Sequence, residues 1–572
     1  MTTATASRTG SNYTCAHLIV DCLLRHGVRE VFGQSLPSAL HLAARRMGIR
    51  QVAYRTENAG AVMADGFARV SGRIGVVTAQ NGPAATLLVA GLAEAFKASV
   101  PVLALVQEVS RRDVDRNAFQ EFDHGELFRS CAKWVRRIDR ADRVEDYIDM
   151  AITVATTGRC GPAVLLLPSD LLIESVAPAV SRKAVLGHFP LDRTCPAEAD
   201  VEAAAAILAA AERPLLIAGG GVHLSGASAA LAALQDAASL PVATTVMGKG
   251  AVSETHPLAL GVVGYFMGRN AATRHMRPMI DGADVVLLVG TRTNQNGTDS
   301  WTLLPEGAQI LHIDADGAEI GRNYEAHRLC GDARLTLEAL TAAIGRQDLS
   351  RRTAARPAIE AALTDAREAH AREAHAVLAS AAVPMRPERI MAEIDRRLGP
   401  DGIVVGDASY SSIWVTNFIC ARRAGMRFVT PRGLAGIGWG LPLAIGAKTA
   451  RPEAPVVCIA GDGGFAHVWA ELETARRMDV ELTMILLNNG VLGYQKHAET
   501  YRFGEYTDAC DFTEVDHSAV ARACGWDAER VETPEQLCAV LDRGIGRGRL
   551  FIEAMVDPDA YPPITFMDTL QL

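Results

Sequence analysis

Two short motifs in the last quarter of the chain carry the residue types needed to grip a diphosphate through a divalent cation. Gly461-Asp462-Gly463 is followed, after a gap of 24 residues, by Asn488-Asn489. Glycines let the backbone turn tightly and approach phosphate oxygens where a Cβ would collide. Asp462 offers a hard oxygen of the kind Mg²⁺ prefers, and Mg²⁺ is commonly shared with phosphates. An asparagine amide oxygen is a second hard donor. Taken alone, the first motif fits equally well a Gly-rich turn between any strand and helix.

The elements that must position these residues are legible on either side of them. Val456 to Ala460 and Leu482 to Leu487 are short apolar runs that read as buried strands. Parallel sheets set ligands at the carboxyl ends of their strands, where both motifs fall. Three blocks repeat the sequence of apolar strand, Gly-rich turn and Ala/Leu helix. The expected fold is therefore α/β, with three doubly wound parallel-sheet domains at about residues 12–173, 197–346 and 383–572. Other expected strands are 30–32, 74–78, 102–106, 163–167, 214–218, 285–289, 310–313 and 403–406. The Ala-, Glu- and Arg-rich stretch from Gln347 to Ala382 reads as an exposed helical linker.

Composition bounds the rest. A chain of 572 residues is too long for one core. Hydrophobic content of 49% and charged content of 22% describe an ordinary soluble globular protein. A net charge of −9 argues against a nucleic-acid partner, which calls for a basic face. No apolar stretch reaches the ~18 residues of a membrane span. Met1 to Gly10 lacks the basic-then-apolar order of a secretory signal and reads as a disordered lead-in. The 11 cysteines are scattered with no C-x-x-C pair, which fits reduced thiols in a cytoplasmic protein and no cysteine-built metal site.

A second constellation lies near the amino terminus. Glu57 follows an expected strand and opens an expected helix. A carboxylate there also complements the helix dipole, worth a few tenths to about 1 kcal/mol. Gln80-Asn81-Gly82-Pro83 and Phe119-Gln120-Glu121 follow on turns.

Through these two constellations the chain resembles the acetolactate synthase branch of thiamine diphosphate (ThDP) enzymes over nearly its full length. The matching stretches run in order: Val31-Phe32-Gly33, Glu57 with Ala64-Asp65-Gly66, Gly82-Pro83, Ala118-Phe119-Gln120-Glu121, Gly219-Gly220-Gly221-Val222, Met247-Gly248-Lys249-Gly250, Gly438-Trp439-Gly440-Leu441-Pro442, and the Gly-Asp-Gly and Asn-Asn pair. 2-Hydroxyacyl-CoA lyases and oxalyl-CoA decarboxylases share many of these. The resemblance implies ThDP and Mg²⁺ as cofactors, with Asp462, Asn489 and the Val491 carbonyl as metal ligands. Gly461, Gly463, Gly464, Asn81, Asp407 and Ser409 are placed among the cofactor contacts. Glu57 is expected to hydrogen-bond N1′ of the cofactor's aminopyrimidine, and a carboxylate held among apolar groups suits that exchange. Ile437 falls where a bulky apolar residue props the cofactor's two rings into a V, or else is an ordinary core isoleucine. Gln120 either donates to a developing oxyanion or is a surface amide. Leu36, Phe119, Tyr494 and Gln495 are placed near the substrate. Subunits of such enzymes share their sites, so a homodimer or homotetramer is expected, with the first and third domains of different copies enclosing each cofactor.

The chain also departs from this pattern. Thr56 replaces the usual histidine before the glutamate. Gln34-Ser35-Leu36-Pro37-Ser38 replaces a Tyr-Pro-Gly-Gly-Ala loop. After Asn489, Tyr494 and Gln495 stand where acetolactate synthases carry Met and Val, and Ala498 where they carry Trp. Exchanging apolar for hydrogen-bonding groups discriminates strongly between substrates. The acceptor is thus expected to differ from the usual pyruvate pair. In the central domain, Gly220, Gly221 and Arg292 fit a nucleotide-binding turn. Thr293-Asn294-Gln295-Asn296 replaces the usual Phe-Asp-Asp-Arg there, leaving FAD, ADP, CoA or a vestigial pocket open. The segment Gly490 to Asp511 is either a loop closing over substrate or an ordinary surface loop.

Three readings follow. The first is a carboligase that decarboxylates a 2-oxo acid and adds the fragment to another carbonyl, with a simple 2-oxo acid decarboxylase beside it. The second is a lyase splitting a 2-hydroxyacyl-CoA, with the tail from Tyr561 to Leu572 closing over the pocket. The third, of a different class, is a catalytically degenerate binding or regulatory subunit.

Overall fold

The computed structural model describes residues 13–177 and 180–569. The lead-in Met1 to Gly10 and the last residues of the tail, 570–572, lie outside the described residues.

Short branched-apolar runs alternate with helices, and each set of runs closes into a parallel sheet. The first sheet holds β1 (Glu30–Phe32), β2 (Arg50–Val52), β3 (Gly75–Ala79), β4 (Val102–Glu108), β5 (Trp134–Arg137) and β6 (Ala163–Pro168). The second holds β7 (Pro214–Ala218), β8 (Val242–Thr244), β9 (Ala259–Val262), β10 (Val285–Val289), β11 (Gln309–Asp314) and β12 (His327–Cys330). The third holds β13 (Ile403–Gly406), β14 (Arg427–Val429), β15 (Val456–Gly461), β16 (Thr483–Asn488), β17 (Asp527–Val531) and β18 (Leu550–Met555). Every pairing is parallel. The central strands are buried on both faces, as in β3, β6, β7, β10 and β16, which is why they are almost uninterrupted Val, Ile, Leu and Ala.

The strand orders are β2-β1-β3-β4-β6-β5, β12-β11-β10-β7-β8-β9 and β14-β13-β15-β16-β18-β17. The first and third sheets thus share one topology. Their order reverses between β1 and β3, and between β13 and β15. The second sheet runs 3-2-1-4-5-6 in its own numbering, the order found in dinucleotide-binding folds. Ligands in such sheets bind in the crevice at the carboxyl ends where the order reverses.

The chain divides into two compact units. The first unit comprises residues 1–192 with two segments from late in the chain, 445–451 and 473–479. Its main core gathers Leu18, Ile19, Leu23, Ile148, Leu165 and Leu167. Within that unit a Cβ on Gly446 would fall 2.0 Å from the Met63 carbonyl oxygen, so a glycine is required there. The second unit carries the second and third sheets. One of its cores joins Val246, Val262 and Phe266 to Trp414, Phe418 and Phe428.

The expected helical linker is a 29-residue helix, Ser350–Leu378. The segment after Asn489 is helical as well, Gly493–Phe503, rather than an irregular loop. Among the described residues no helix is long and apolar enough to cross a membrane.

Candidate cofactor and substrate site

Asp462 and Asn489 emerge from neighbouring strands at the same end of the third sheet. Gly461 on β15 is in register with Leu487 on β16, so both motifs start where those strands stop. Asp462 Oδ2 accepts the Gly490 amide at 3.0 Å, and Asn489 Oδ1 accepts the Val491 amide at 3.3 Å. The first bond draws 489–491 towards Asp462, and the second closes that turn on itself. Asp462 is 5% exposed. Burial pushes its pKa up to about 6, against the lowering pull of the Gly463 and Gly490 amides. The leading influences on it include no cationic side chain. A buried carboxylate without a countercharge is relieved by a metal ion, so this donor set of carboxylate, amide oxygen and backbone carbonyl fits a hard divalent cation.

The backbone around Asp462 is equally constrained. A Cβ on Gly464 would lie 2.5 Å from Asp407 Oδ2 and 3.1 Å from the Gly438 amide nitrogen, so the turn admits no side chain at that position. Asp407 follows β13 on the other side of the crevice. Its Oδ2 accepts the Gly438 amide at 2.8 Å, and its Oδ1 accepts Ala408, Trp439 and Gly440 at 2.9, 3.0 and 3.0 Å. The carboxylate is turned onto backbone and holds the loop that carries Ile437. Burial pushes its pKa up to about 6 despite those four amides. Ser409 has φ +62° and caps the helix Tyr410–Phe418. Strain at a non-glycine residue beside a crevice marks a place the fold over-determines.

In the first unit, Glu57 is the first residue of the helix Glu57–Ser71 and is half-buried. Thr56 caps that helix, its Oγ1 accepting the Ala59 amide at 3.4 Å. Gln120 and Asn81 come together. Gln80 Nε2 donates to Gln120 Oε1 at 2.5 Å, and Asn81 Nδ2 donates to the Gln120 carbonyl at 3.1 Å. Gln120 has φ +60°. Beneath it the Gly82 amide donates to His124 Nε2 at 2.9 Å, and His124 Nδ1 meets Glu108 Oε1 at 2.6 Å. Since Nε2 accepts, Nδ1 carries the proton and points it at Glu108. Leu36 is half-buried and Phe119 is 85% exposed.

Three family models match the chain. The thiamine pyrophosphate enzyme N-terminal TPP binding domain matches residues 13–127, the central domain 201–340, and the C-terminal TPP binding domain 407–554. A probable acetolactate synthase large subunit of Methanocaldococcus jannaschii is 31% identical over 566 residues, 96% of this chain and 93% of that protein. Acetolactate synthase isozyme 2 large subunit of Escherichia coli K12 is 30% identical, covering 92% of each chain. The chain belongs to the acetolactate synthase-like thiamine pyrophosphate enzymes. Thiamine pyrophosphate is ThDP by another name. The acetolactate synthase of Arthrospira platensis is 29% identical over 96% of both chains. Membership makes the chain an enzyme, which sets aside the reading as a degenerate binding subunit.

In two regions of this acetolactate synthase-like chain the candidate site residues also have packing or hydrogen-bonding partners of their own. In the central domain, a Cβ on Gly219 would sit 2.2 Å from the Gly290 carbonyl oxygen, and one on Gly221 2.8 Å from Gly290 Cα. These glycines let two backbone turns touch each other, a packing reason independent of any nucleotide. Gly220 faces Met247, and Arg292 Nε donates to the buried Glu319 at 3.2 Å. Beyond Asn489, Gln495 is exposed and donates along its own helix to Glu499 at 2.7 Å. Tyr494 turns inward, edge-on to Tyr410 with ring centroids 5.8 Å apart.

Around Tyr494 lies a group that sequence reasoning missed. Tyr410 Oη pairs with His497 Nδ1 at 2.8 Å, and Tyr561 packs edge-on to His497. Burial pushes the His497 pKa down to about 4. Arg432 Nη2 donates to Ser412 Oγ, and its guanidinium lies over Phe266, 5.2 Å from the ring centroid. The signal was present: an arginine inside the Gly-rich stretch Pro431-Arg432-Gly433 just after β14. The tail through Met567 packs onto this group, since Tyr410 Oη also approaches Met567 Sδ at 3.5 Å.

Proposed function

We propose that this enzyme is a ThDP- and Mg²⁺-dependent carboligase that takes an acyl unit from a 2-oxo acid and joins it to an acceptor carbonyl other than the usual pyruvate. The observation that carries this reading is the convergence of Asp462 and Asn489 at the ends of β15 and β16, with a buried carboxylate that no cationic side chain leads in stabilising among the described residues. The names of the relatives supply the reaction class.

In this reading the Asp462 carboxylate, the Asn489 side chain and the Val491 carbonyl hold Mg²⁺. The turn Gly461-Asp462-Gly463-Gly464 cradles the diphosphate, with Ser409 across the crevice. Asp407 acts at one remove, by fixing the loop that presents Ile437 as the prop between the two rings. Glu57 bonds the pyrimidine N1′ and holds or releases a proton there. Once bound, the cofactor supplies the nucleophilic carbon and the electron sink. Gln120, braced by Gln80 and Asn81, donates its amide N–H to the substrate oxygen that gains charge. Leu36, Phe119 and Tyr494 shape the substrate pocket, while Gln495 faces along its own helix. Glu57 and the Mg²⁺ ligands come from different copies of the chain in a homodimer or a dimer of dimers. The 11 free cysteines suit a reducing, cytoplasmic setting.

The test is to supply the holoenzyme with single and paired 2-oxo acids and follow CO₂ and carbon–carbon coupled products. CO₂ with a coupled product is expected, and silence across the panel overturns the reading. A lyase acting on 2-hydroxyacyl-CoA is favoured by one observation, the packing of the tail onto Tyr410 and His497. With Arg292 already engaged by Glu319, no step is assigned to FAD, ADP or CoA in the central domain. Calorimetric titration with CoA decides that alternative.

A further inference from the structure

We propose that Arg432, flanked by Ser412 and Tyr494, is the subsite for the carboxylate of an acidic acceptor substrate. This rests on the carboligase reading for the identity of the substrate, though not for the existence of the subsite.

Arg432 is partly buried, with its guanidinium over the Phe266 ring. One of its nitrogens, Nη2, reaches Ser412 Oγ. Nε is buried and has no hydrogen-bond partner. Among the described residues no carboxylate pairs with this guanidinium. A buried donor left without an acceptor costs about 1–3 kcal/mol, and a guanidinium presents its donors in a planar fork matched to a carboxylate. The missing partner is therefore a planar anion.

Its surroundings place that anion at the reacting end of the pocket. Arg432 lies on the loop that continues to Ile437 and Gly438, which Asp407 holds by the Gly438 amide. Ser412 stands on the helix opened by Ser409 and donates back to the Ser409 carbonyl at 2.8 Å. Arg432 and Tyr494 are electrostatically coupled, the guanidinium opposing the rise that burial imposes on the phenol. Tyr410, edge-on to Tyr494, also borders the Asn489 side: a Cβ on Gly493 would lie 3.1 Å from the Tyr410 ring and 3.2 Å from Asn489 Nδ2. The guanidinium thus shares its surroundings with Tyr494, at one of the positions where the chain exchanges an apolar side chain for a polar one. A polar site of this kind selects an acceptor able to meet both the charge and the hydroxyl.

The test uses the full-length protein loaded with ThDP and Mg²⁺. Oxamate, a carboxylate that cannot decarboxylate, and its neutral amide oxamide are titrated calorimetrically into wild type, Arg432→Met and Arg432→Lys, each first checked for an unchanged melting temperature. Ser412→Ala serves as a second variant should Arg432→Met fail to fold. Oxamate is expected to bind the wild type more tightly than oxamide does, to lose about tenfold or more in Arg432→Met, and to lose less in Arg432→Lys or Ser412→Ala. In coupling assays with one fixed donor, Arg432→Met should raise KM for an acidic acceptor while leaving KM for a neutral aldehyde within about twofold. Equal binding of oxamate and oxamide, no heat from either, or oxamate affinity indifferent to Arg432 overturns the subsite. An equal rise in KM for both acceptors overturns its assignment to the acceptor. No coupled product together with Arg432-dependent oxamate binding sinks the carboligase reading and leaves the subsite standing.

Discussion

Asn488 donates from Nδ2 to Glu553 Oε1 at 2.8 Å, and Glu553 is fully buried in the middle of β18. The other Glu553 oxygen accepts the Ser518 amide at 2.8 Å. The first asparagine of the Asn-Asn pair is therefore anchored into the sheet, while the second bonds the Val491 amide of its own turn. A strand that brings a carboxylate into a parallel-sheet core does so for the sake of the residues it grips.

Replacing Glu553 with alanine strands two buried donors, each costing about 1–3 kcal/mol. A markedly lower melting temperature and a several-fold weaker Mg²⁺ affinity in the presence of ThDP are expected. Thermal unfolding and metal calorimetry report the two effects separately. An unaltered metal affinity would show that Asn489 does not depend on its neighbour's anchor.

Asp462→Ala removes the charged ligand together with the acceptor of the Gly490 amide. Relief of a buried carboxylate offsets the loss of that bond, so the apo protein should melt close to the wild-type temperature. Binding of Mg²⁺ with ThDP should fall by at least about tenfold, or 1.4 kcal/mol. A drop in apo stability with unchanged metal binding would assign Asp462 a structural task instead.

Glu57→Gln should abolish turnover while ThDP affinity stays within about tenfold of wild type. An amide keeps the shape of the carboxylate and cannot exchange a proton with the pyrimidine. Steady-state rates and calorimetry on the same sample check this, and a variant that still turns over would refute the assigned role.

Asp407 gives a pH dependence of known sign. Its folded pKa is pushed up to about 6 by burial, above the ordinary aspartate value of 3.8. The folded chain thus binds that proton more tightly than the unfolded chain does, so this group withdraws stability as pH rises from about 4 to about 6. The slope is at most about 1.4 kcal/mol per pH unit. Melting temperatures of wild type and Asp407→Asn across that window should differ in slope by this contribution, the variant lacking it. Parallel curves would mean that Asp407 ionises in the ordinary range.

The sheets, the two cofactor motifs and the strands that aim them were legible because they depend on local pattern. An uninterrupted apolar run such as Val285–Val289 reads as a buried strand wherever it occurs. Strand β5 was missed because Trp134-Val135-Arg136-Arg137 lies at a sheet edge and carries charge. β18 was missed because Glu553 breaks its apolar run, and the reason for that break is Asn488, 65 residues earlier. The helix Gly493–Phe503 was hidden by its charge and its opening glycine. Tyr410, Arg432 and His497 acquire meaning through contacts between distant segments, which spacing along the chain does not encode. Asp407 was found by its place after a strand, and its grip on Gly438 and Gly440 appeared once the loop was folded.

Residues 445–451 and 473–479 complete a body otherwise built from the first 192 residues. Dissection at the apparent linkers would therefore tear the protein unevenly. A fragment ending near Asp192 would be left with bare surface where Gly446 nests against Met63, and the remainder would carry two orphaned stretches. The amino-terminal portion is finished only after the ribosome has passed the Gly461–Gly464 turn of the third sheet.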